Sequence, residues 1–333
     1  ATLCYFLQIV LAVYIITFVT GMPANILALY TFVRKVRQSP TPLDILLLNL
    51  TISDVVFLIF LPFRIKEASD DLKWNMPFFL CPLSGYIFYS TIYNSTFFLT
   101  GIAVERYLGV AYPIQYKLKR KPLYAVIYSV FAWVISFTHC SIVYIMQYYD
   151  HVNQTAINPS ARDTCYEEFS DAQLAILLPV RLELCIVLFC IPLLICFFCY
   201  MNLLRLLLKL PNITPRKRFR AVGLAIGTML MFIVCFGPYN VSHVVGYVNW
   251  ASPPWRKHAL LTSTFNACLD PFIYYFSSSV LRGTFNHLLK QVTGRLHLRC
   301  CCRAFYCPLL NCSRTEESTQ SSNDSSARQG AWD

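Results

Sequence analysis

Seven stretches of mostly apolar residues alternate with polar links along this chain. They run from Tyr5 to Val33, Leu43 to Phe63, Phe78 to Val104, Leu123 to Tyr149, Leu174 to Leu204, Ala221 to Trp250 and His258 to Phe276. At about 1.5 Å rise per residue, a helix of roughly twenty residues crosses a hydrocarbon core of about 30 Å. The first, fourth and sixth stretches contain no Asp, Glu, Lys or Arg, as lipid-facing helices require. The fifth and seventh carry Arg181, Glu183 and Asp270, each of which costs several kcal/mol in a bilayer unless paired or solvated. The pattern predicts an all-α membrane protein, a bundle of seven transmembrane helices.

Charge sets the predicted orientation. Loops rich in Lys and Arg resist translocation. Such residues crowd the link after helix one (Arg34, Lys35, Arg37), after helix three (Lys117, Lys119, Arg120, Lys121) and before helix six (Arg216, Lys217, Arg218, Arg220). The alternate links are acidic, with Asp70 and Asp71 in one and Asp150, Asp163, Glu167, Glu168 and Asp171 in another. This predicts an extracellular N-terminus and a cytoplasmic C-terminus, with helix one as its own signal-anchor. Composition agrees, since 56% hydrophobic and 14% charged residues, with a mean hydropathy of +0.49, describe a chain whose solvent is lipid. The net charge of +11 then reflects positive-inside loops and a basic tail near anionic lipid, not nucleic-acid binding.

The fifteen cysteines divide by environment. Most lie within the spans as small packing residues. Cys81, at the outer start of helix three, and Cys165, in the long outer loop, form the obvious pair in oxidising territory, which predicts a disulfide. Cys300, Cys301, Cys302, Cys307 and Cys312 follow a basic segment at the inner membrane surface, and Cys300 to Cys302 are the predicted palmitoylation sites. That segment repeats Arg282, Phe285, Leu288, Leu289 and Val292 at helical spacing, with His287 and Lys290 on another face, predicting a short amphipathic helix on the inner leaflet. The expected organisation is a receptor domain over 1–292 and a largely disordered, phosphorylatable cytoplasmic tail over 293–333. Asn153 begins a usable glycosylation sequon, whereas Asn94 and Asn240 fit the same rule inside helices.

Polar residues inside the spans carry the functional argument. Gly21, Pro23 and Asn25, then Asn49 to Asp54, then Glu105-Arg106-Tyr107 at the end of helix three stand in a specific order. Trp133, Pro192, Tyr200, Cys235-Phe236-Gly237-Pro238, Asp270-Pro271 and Tyr274 continue it. Over residues 5–290 the chain resembles the rhodopsin-like G-protein-coupled receptors, a likeness that implies signalling from an extracellular ligand to a heterotrimeric G protein. It also implies arrestin and receptor kinases acting through the tail, residence in the plasma membrane, and no catalytic cofactor.

The residues also have physical readings of their own. An adjacent Glu105-Arg106 pair at a helix end could simply snorkel; by the resemblance it is a latch on helix three, with Tyr200 and Tyr274 re-pairing the freed Arg106. Asp54 in mid-membrane needs a proton or a cation. The resemblance supplies Ser95, Asn266 and Asp270 as its neighbours and sodium as their allosteric ion; a protonated, hydrogen-bonded Asp54 is the alternative. Pro192, Pro238 and Pro271 each remove a backbone hydrogen bond and mark expected kinks. Phe236 stands at the family's aromatic switch position, where Trp is usual.

Arg181 and Arg256 sit at the outer ends of helices five and seven, about 16 Å above Pro192 and about 21 Å above Asp270, with His243 about 7 Å above Pro238. Two guanidiniums and an imidazole facing one cavity repel unless an anion lies between them, and Arg forks suit a carboxylate. Alone, Arg181 could be an interfacial snorkelling side chain. The segments Cys165-Tyr166-Glu167-Glu168-Phe169, Pro179 to Cys185 and Gly237 to His243 resemble the free fatty acid receptors, the short-chain members most. That resemblance implies that Arg181 and Arg256 clamp the carboxylate with help from His243. By the same resemblance, Tyr239, Asn240, Tyr89, Tyr93 and His139 are expected to shape a small pocket, and Glu167 to pair with the arginines when ligand is absent. His139 could equally be a hydrogen-bonded core histidine.

Competing classes fit less well. An opsin needs Lys where Thr264 stands, and an amine receptor needs an acid where Phe88 stands. A transporter or channel predicts repeats or a charged pathway, and an enzyme a nucleophile-base pair or metal cluster in a cleft. A receptor for another small carboxylate or for longer fatty acids remains the alternative within the family.

Overall fold

The structure is a computed structural model and describes residues 2–119, 121–149, 165, 169–209, 214–278, 281–283, 285 and 286. Among the described residues all regular structure is helical. Four rods are continuous α-helices: the first (Thr2–Gln38), second (Pro42–Ser69), third (Leu80–Ala111) and fourth (Pro122–Tyr148). A two-turn helix, Pro113–Lys119, follows the third. The fifth rod runs from Asp171–Cys185 through a π turn, Ile186–Cys190, into Ile191–Lys209. The sixth joins Pro215–Leu230 to Gly237–Asn249 through a π turn, Met231–Phe236. The seventh comprises Arg256–Thr264 and Asn266–Ser277.

Five rods are long and apolar enough to cross a membrane by length and composition, the third and seventh being the exceptions. The third is buried along most of its length between Cys81 and Ala103, so its Ser, Thr and Asn side chains face protein instead of lipid. The seventh is interrupted at Phe265, so neither half reaches a spanning length. Helix starts follow their caps. Thr41 accepts from the Asp44 amide with Pro42 at the first helical position, and Ser170 and Gln173 form a reciprocal capping box. The second helix runs past the Phe63 boundary read from hydropathy to Ser69 and so takes in Arg64 and Glu67.

The prolines explain how the rods are tied together. A helical proline frees the carbonyl four residues before it, and in a bilayer that oxygen must find another donor. Pro192 frees Leu188, whose oxygen accepts from Thr96 Oγ1 of the third helix at 2.8 Å. Pro271 frees Ala267, whose oxygen accepts from Asn25 Nδ2 of the first helix at 2.7 Å. In the sixth rod the π turn precedes Pro238, and the Cys235 carbonyl accepts from Thr262 Oγ1 at 3.0 Å and Ser263 Oγ at 2.9 Å of the seventh. Gly21 allows the first of these rods to approach, since a Cβ there would lie 3.2 Å from the Ala267 oxygen and 3.3 Å from Leu58. Trp133 Nε1 donates to Asn49 Oδ1 at 3.0 Å, joining the fourth helix to the second.

Cys81 and Cys165 form the expected disulfide, which pins the link before the fifth helix to the start of the third. Residues from Val280 onward make a second unit, in which 281–283, 285 and 286 are helical. The rest of the predicted amphipathic helix, including His287, Leu288, Leu289, Lys290 and Val292, lies outside the described residues, as does the tail with Cys300, Cys301, Cys302, Cys307 and Cys312.

Candidate functional site

At the Cys81 end of the bundle, Tyr89, Tyr93, Arg181, Tyr239, His243 and Arg256 line one cavity of about 10 Å³. They come from the third, fifth, sixth and seventh rods, so only the folded bundle brings them together. Arg181 is buried, at 3% exposure, and its guanidinium lies 5.0 Å from the Phe169 ring centroid with NH1 3.5 Å from Ser252 Oγ. Arg256 is half-buried and donates through NH2 to the Tyr239 hydroxyl at 2.7 Å. Arg181 is thus enclosed, whereas Arg256 stands at the first turn of its helix, nearer solvent. Both arginines lie within electrostatic range of His243, itself buried.

Hydrogen bonds and rings hold the walls. The Tyr93 hydroxyl lies 3.2 Å from His243 Nε2 and 3.4 Å from Asn240 Oδ1, and Asn240 Nδ2 donates to the Phe236 carbonyl at 2.8 Å. Having one proton to donate, Tyr93 links the imidazole to the amide one turn below it. Tyr239 stacks on Tyr89 and packs edge-on against His243, with centroids 5.8 and 4.5 Å apart. Asn240 supports Tyr93 and lies outside the lining.

His139 is placed elsewhere. It lies outside the cavity lining, its Nδ1 3.0 Å from the Ile135 carbonyl and its Nε2 2.9 Å from Glu183 Oε1. His139 thus pairs the fourth rod with the fifth through Glu183, in keeping with the hydrogen-bonded reading that its sequence position left open beside ligand contact. Glu167 and Asn153 lie outside the described residues. Hydropathy and motif reading missed Phe169 and Ser252 as partners of Arg181; Phe169 closes the segment beginning at Cys165, so its sequence neighbourhood was visible but its ring contact was not.

Deeper in the bundle, Asp54, Ser95, Asn266 and Asp270 come together. Asn266 Nδ2 donates to Ser95 Oγ at 3.2 Å, and the Asp54 and Asp270 carboxyls are close enough to interact directly. Tyr274 donates to Asp54 Oδ2 at 2.5 Å. Asp54 Oδ1 and both Asp270 oxygens are buried and accept no hydrogen bond among the described residues.

The opposite end holds the remaining candidates. Arg106 NH2 donates to the Ser277 carbonyl at 2.7 Å, where the last turn of the seventh rod presents its negative dipole end. Glu105 accepts from the Tyr116 hydroxyl of the short helix after the third rod. Tyr107 packs edge-on against Phe198, with centroids 6.0 Å apart. Tyr200 meets Thr228 Oγ1 of the sixth rod at 3.1 Å and lies within electrostatic range of Arg106. In this conformation the Tyr274 hydroxyl is committed to Asp54.

The model of the seven-transmembrane receptor (rhodopsin family) matches residues 24–274. Free fatty acid receptor 2 from Homo sapiens is 52% identical over 289 residues, covering 86% of this chain and 87% of that protein. Free fatty acid receptor 3 from Mus musculus is 48% identical over 290 residues, covering 87% and 88%. Free fatty acid receptor 1 from Macaca fascicularis is 32% identical over 276 residues, covering 80% and 90%.

Proposed function

This chain belongs to the free fatty acid receptors of the rhodopsin family, and from that premise we propose that it carries a short-chain fatty acid signal to a heterotrimeric G protein. It is a multi-pass membrane receptor and not an enzyme. The observation that carries the ligand class is the convergence of Arg181, Arg256 and His243 on one small cavity. A carboxylate there offsets one of the two guanidinium charges and accepts from their planar donors, while the Tyr93–His243 contact fixes the imidazole face presented to it.

Size supports a short chain. A volume of about 10 Å³ is on the order of one water, so even acetate requires the rings of Tyr89, Tyr93 and Tyr239 to give way. Each added methylene asks for further movement of a packed wall. A ligand with so little apolar area binds weakly, in the micromolar to millimolar range, about 4 to 8 kcal/mol.

The acidic links and the disulfide end face outward in this reading, and the basic links with Arg106 face the cytoplasm. Residues 1–292 form the receptor domain, and 293–333 form a tail for arrestin and receptor kinases, anchored to lipid through Cys300 to Cys302. Asp54, Ser95, Asn266 and Asp270 fit a sodium ion: two buried carboxyls with unfilled acceptor sites, a hydroxyl and an amide oxygen are the donors a hard cation takes. A sodium ion there would be held by Asp54, Ser95, Asn266 and Asp270 and would supply positive charge to offset that of the buried carboxyls, while Tyr274 holds Asp54 in position. Opening the Arg106–Ser277 contact frees the third rod toward Tyr200, the step that exposes the G-protein surface.

The test is G-protein activation in cells expressing the receptor, against unbranched acids of graded length. Acetate, propionate and butyrate are expected to activate, with loss of activation as the chain lengthens. No response to any of these three acids overturns the ligand assignment.

A further inference from the structure

The joint between the sixth and seventh rods sets two donors on one acceptor. The Cys235 carbonyl accepts from Ser263 Oγ at 2.9 Å and from Thr262 Oγ1 at 3.0 Å. Cys235 and Ser263 are 1% and 0% exposed, so these bonds are made away from solvent. Thr262 also lies 2.7 Å from the Ala259 carbonyl and has one proton to share between two oxygens, whereas Ser263 donates to Cys235 alone among the described residues. The shared acceptor belongs to the π turn Met231–Phe236, the change of helical register that joins the two α segments of the sixth rod. Such turns are rare in helices and gather at functional sites.

This joint stands between the two candidate sites. On one side the Phe236 carbonyl, next along the chain, accepts from Asn240 Nδ2 at 2.8 Å, and Asn240 Oδ1 lies 3.4 Å from the hydroxyl of Tyr93 in the ligand cavity. On the other side Ser263 stands three residues before Asn266, which donates to Ser95 Oγ beside Asp54 and Asp270. We infer that Ser263, with Thr262 beside it, is a positioning residue for signalling: its hydroxyl holds the π turn against the seventh rod, and an acid entering the cavity releases it. The trigger rests on the short-acid reading. An acid that pushes the Tyr93 ring aside draws Asn240 with it and turns the Phe236 carbonyl. The Cys235 carbonyl, one peptide away, turns too and leaves Ser263. The π turn then relaxes toward α-helical register, which rotates the segment Pro215–Leu230 that carries the basic link. The Ser263 bond thus weights the receptor toward the conformation described, and an acid that selects the other one binds with an affinity reduced by the fraction of receptor already in it.

The experiment uses the full-length receptor in cells at matched surface expression. Ser263→Ala is expected to raise acid-free G-protein activation and to move the acetate curve to lower concentration, each by about three- to fifteenfold, the range that one interhelical hydrogen bond in a membrane spans. Thr262→Ser keeps a donor hydroxyl and is expected to behave as wild type. A hydroxyl that only stabilised the fold would lower the thermal unfolding midpoint of the purified Ser263→Ala receptor and leave both signalling measures where they were. That result overturns the inference, as does reduced acid-free activation or an acetate curve moved to higher concentration. Should Ser263→Ala fail to reach the surface, Thr262→Val, at a half-buried position, is read by the same criteria. No acetate response in wild type defeats the short-acid reading, while acid-free activation in the variants still decides the role of Ser263.

Discussion

Truncating Arg181 to alanine removes one of the two guanidiniums proposed to hold the ligand, and the structure bounds the effect. Arg181 is 3% exposed, so its donors act where water competes little and a hydrogen bond to a charged group is worth about 1.5–3 kcal/mol. A planar fork makes two such bonds to a carboxylate, so Arg181→Ala is expected to lose about 3–6 kcal/mol. At about 1.4 kcal/mol per tenfold, that is a factor of at least 100 in affinity. A short acid that starts near millimolar binds with only about 4 kcal/mol, so no saturable response should remain. Arg181→Lys keeps the charge but makes one bond, and it gives up the guanidinium stacking on Phe169. It should lose about ten- to a hundredfold and retain a weak response at high ligand concentration. The assay is acetate-evoked G-protein activation at matched surface expression, measured with an antibody against an extracellular tag. Potency of Arg181→Ala within about threefold of wild type, a difference of under 1 kcal/mol, would refute the clamp.

Two further outcomes test the scaffold. Asn25→Ala leaves the Ala267 carbonyl that Pro271 freed without its donor; a loss of about 0.6–1.7 kcal/mol is expected, read as a midpoint lowered by a few degrees, and an unchanged midpoint contradicts the proline account of the first-to-seventh contact. Replacing choline by sodium at constant ionic strength should raise the unfolding midpoint of the wild-type receptor through preferential binding to the folded state, by on the order of 1 kcal/mol. Asp54→Asn should abolish that difference, and sodium stabilisation that survives the substitution removes the ion from this cluster.

The two arginines illustrate where sequence reading stops. Helical rise put Arg181 and Arg256 at the same end of the bundle, and the resemblance named them together. Neither states that Arg181 is enclosed by Phe169 and Ser252 while Arg256 stays half-buried on Tyr239. His139 shows the same limit. Its position allowed either a ligand contact or a satisfied histidine, and rotation of the fourth rod about its own axis directs it to Glu183. Arg64 and Glu67 escaped notice because hydropathy ended the second span at Phe63, although their spacing of three is a legible helical pair.

What the amino-acid sequence determined by itself is the architecture: seven spans, the placement of charge between them, and the polar residues that lipid would otherwise exclude. This information is local, because a backbone in hydrocarbon must satisfy its own hydrogen bonds and therefore be helical wherever it is apolar for long enough. Tertiary structure alone decided which freed carbonyl meets which side chain, which residues share a cavity, and how small that cavity is. Helix rotation and tilt are set by packing against neighbours distant in the chain, and no run of residues encodes the axial angle at which two rods meet.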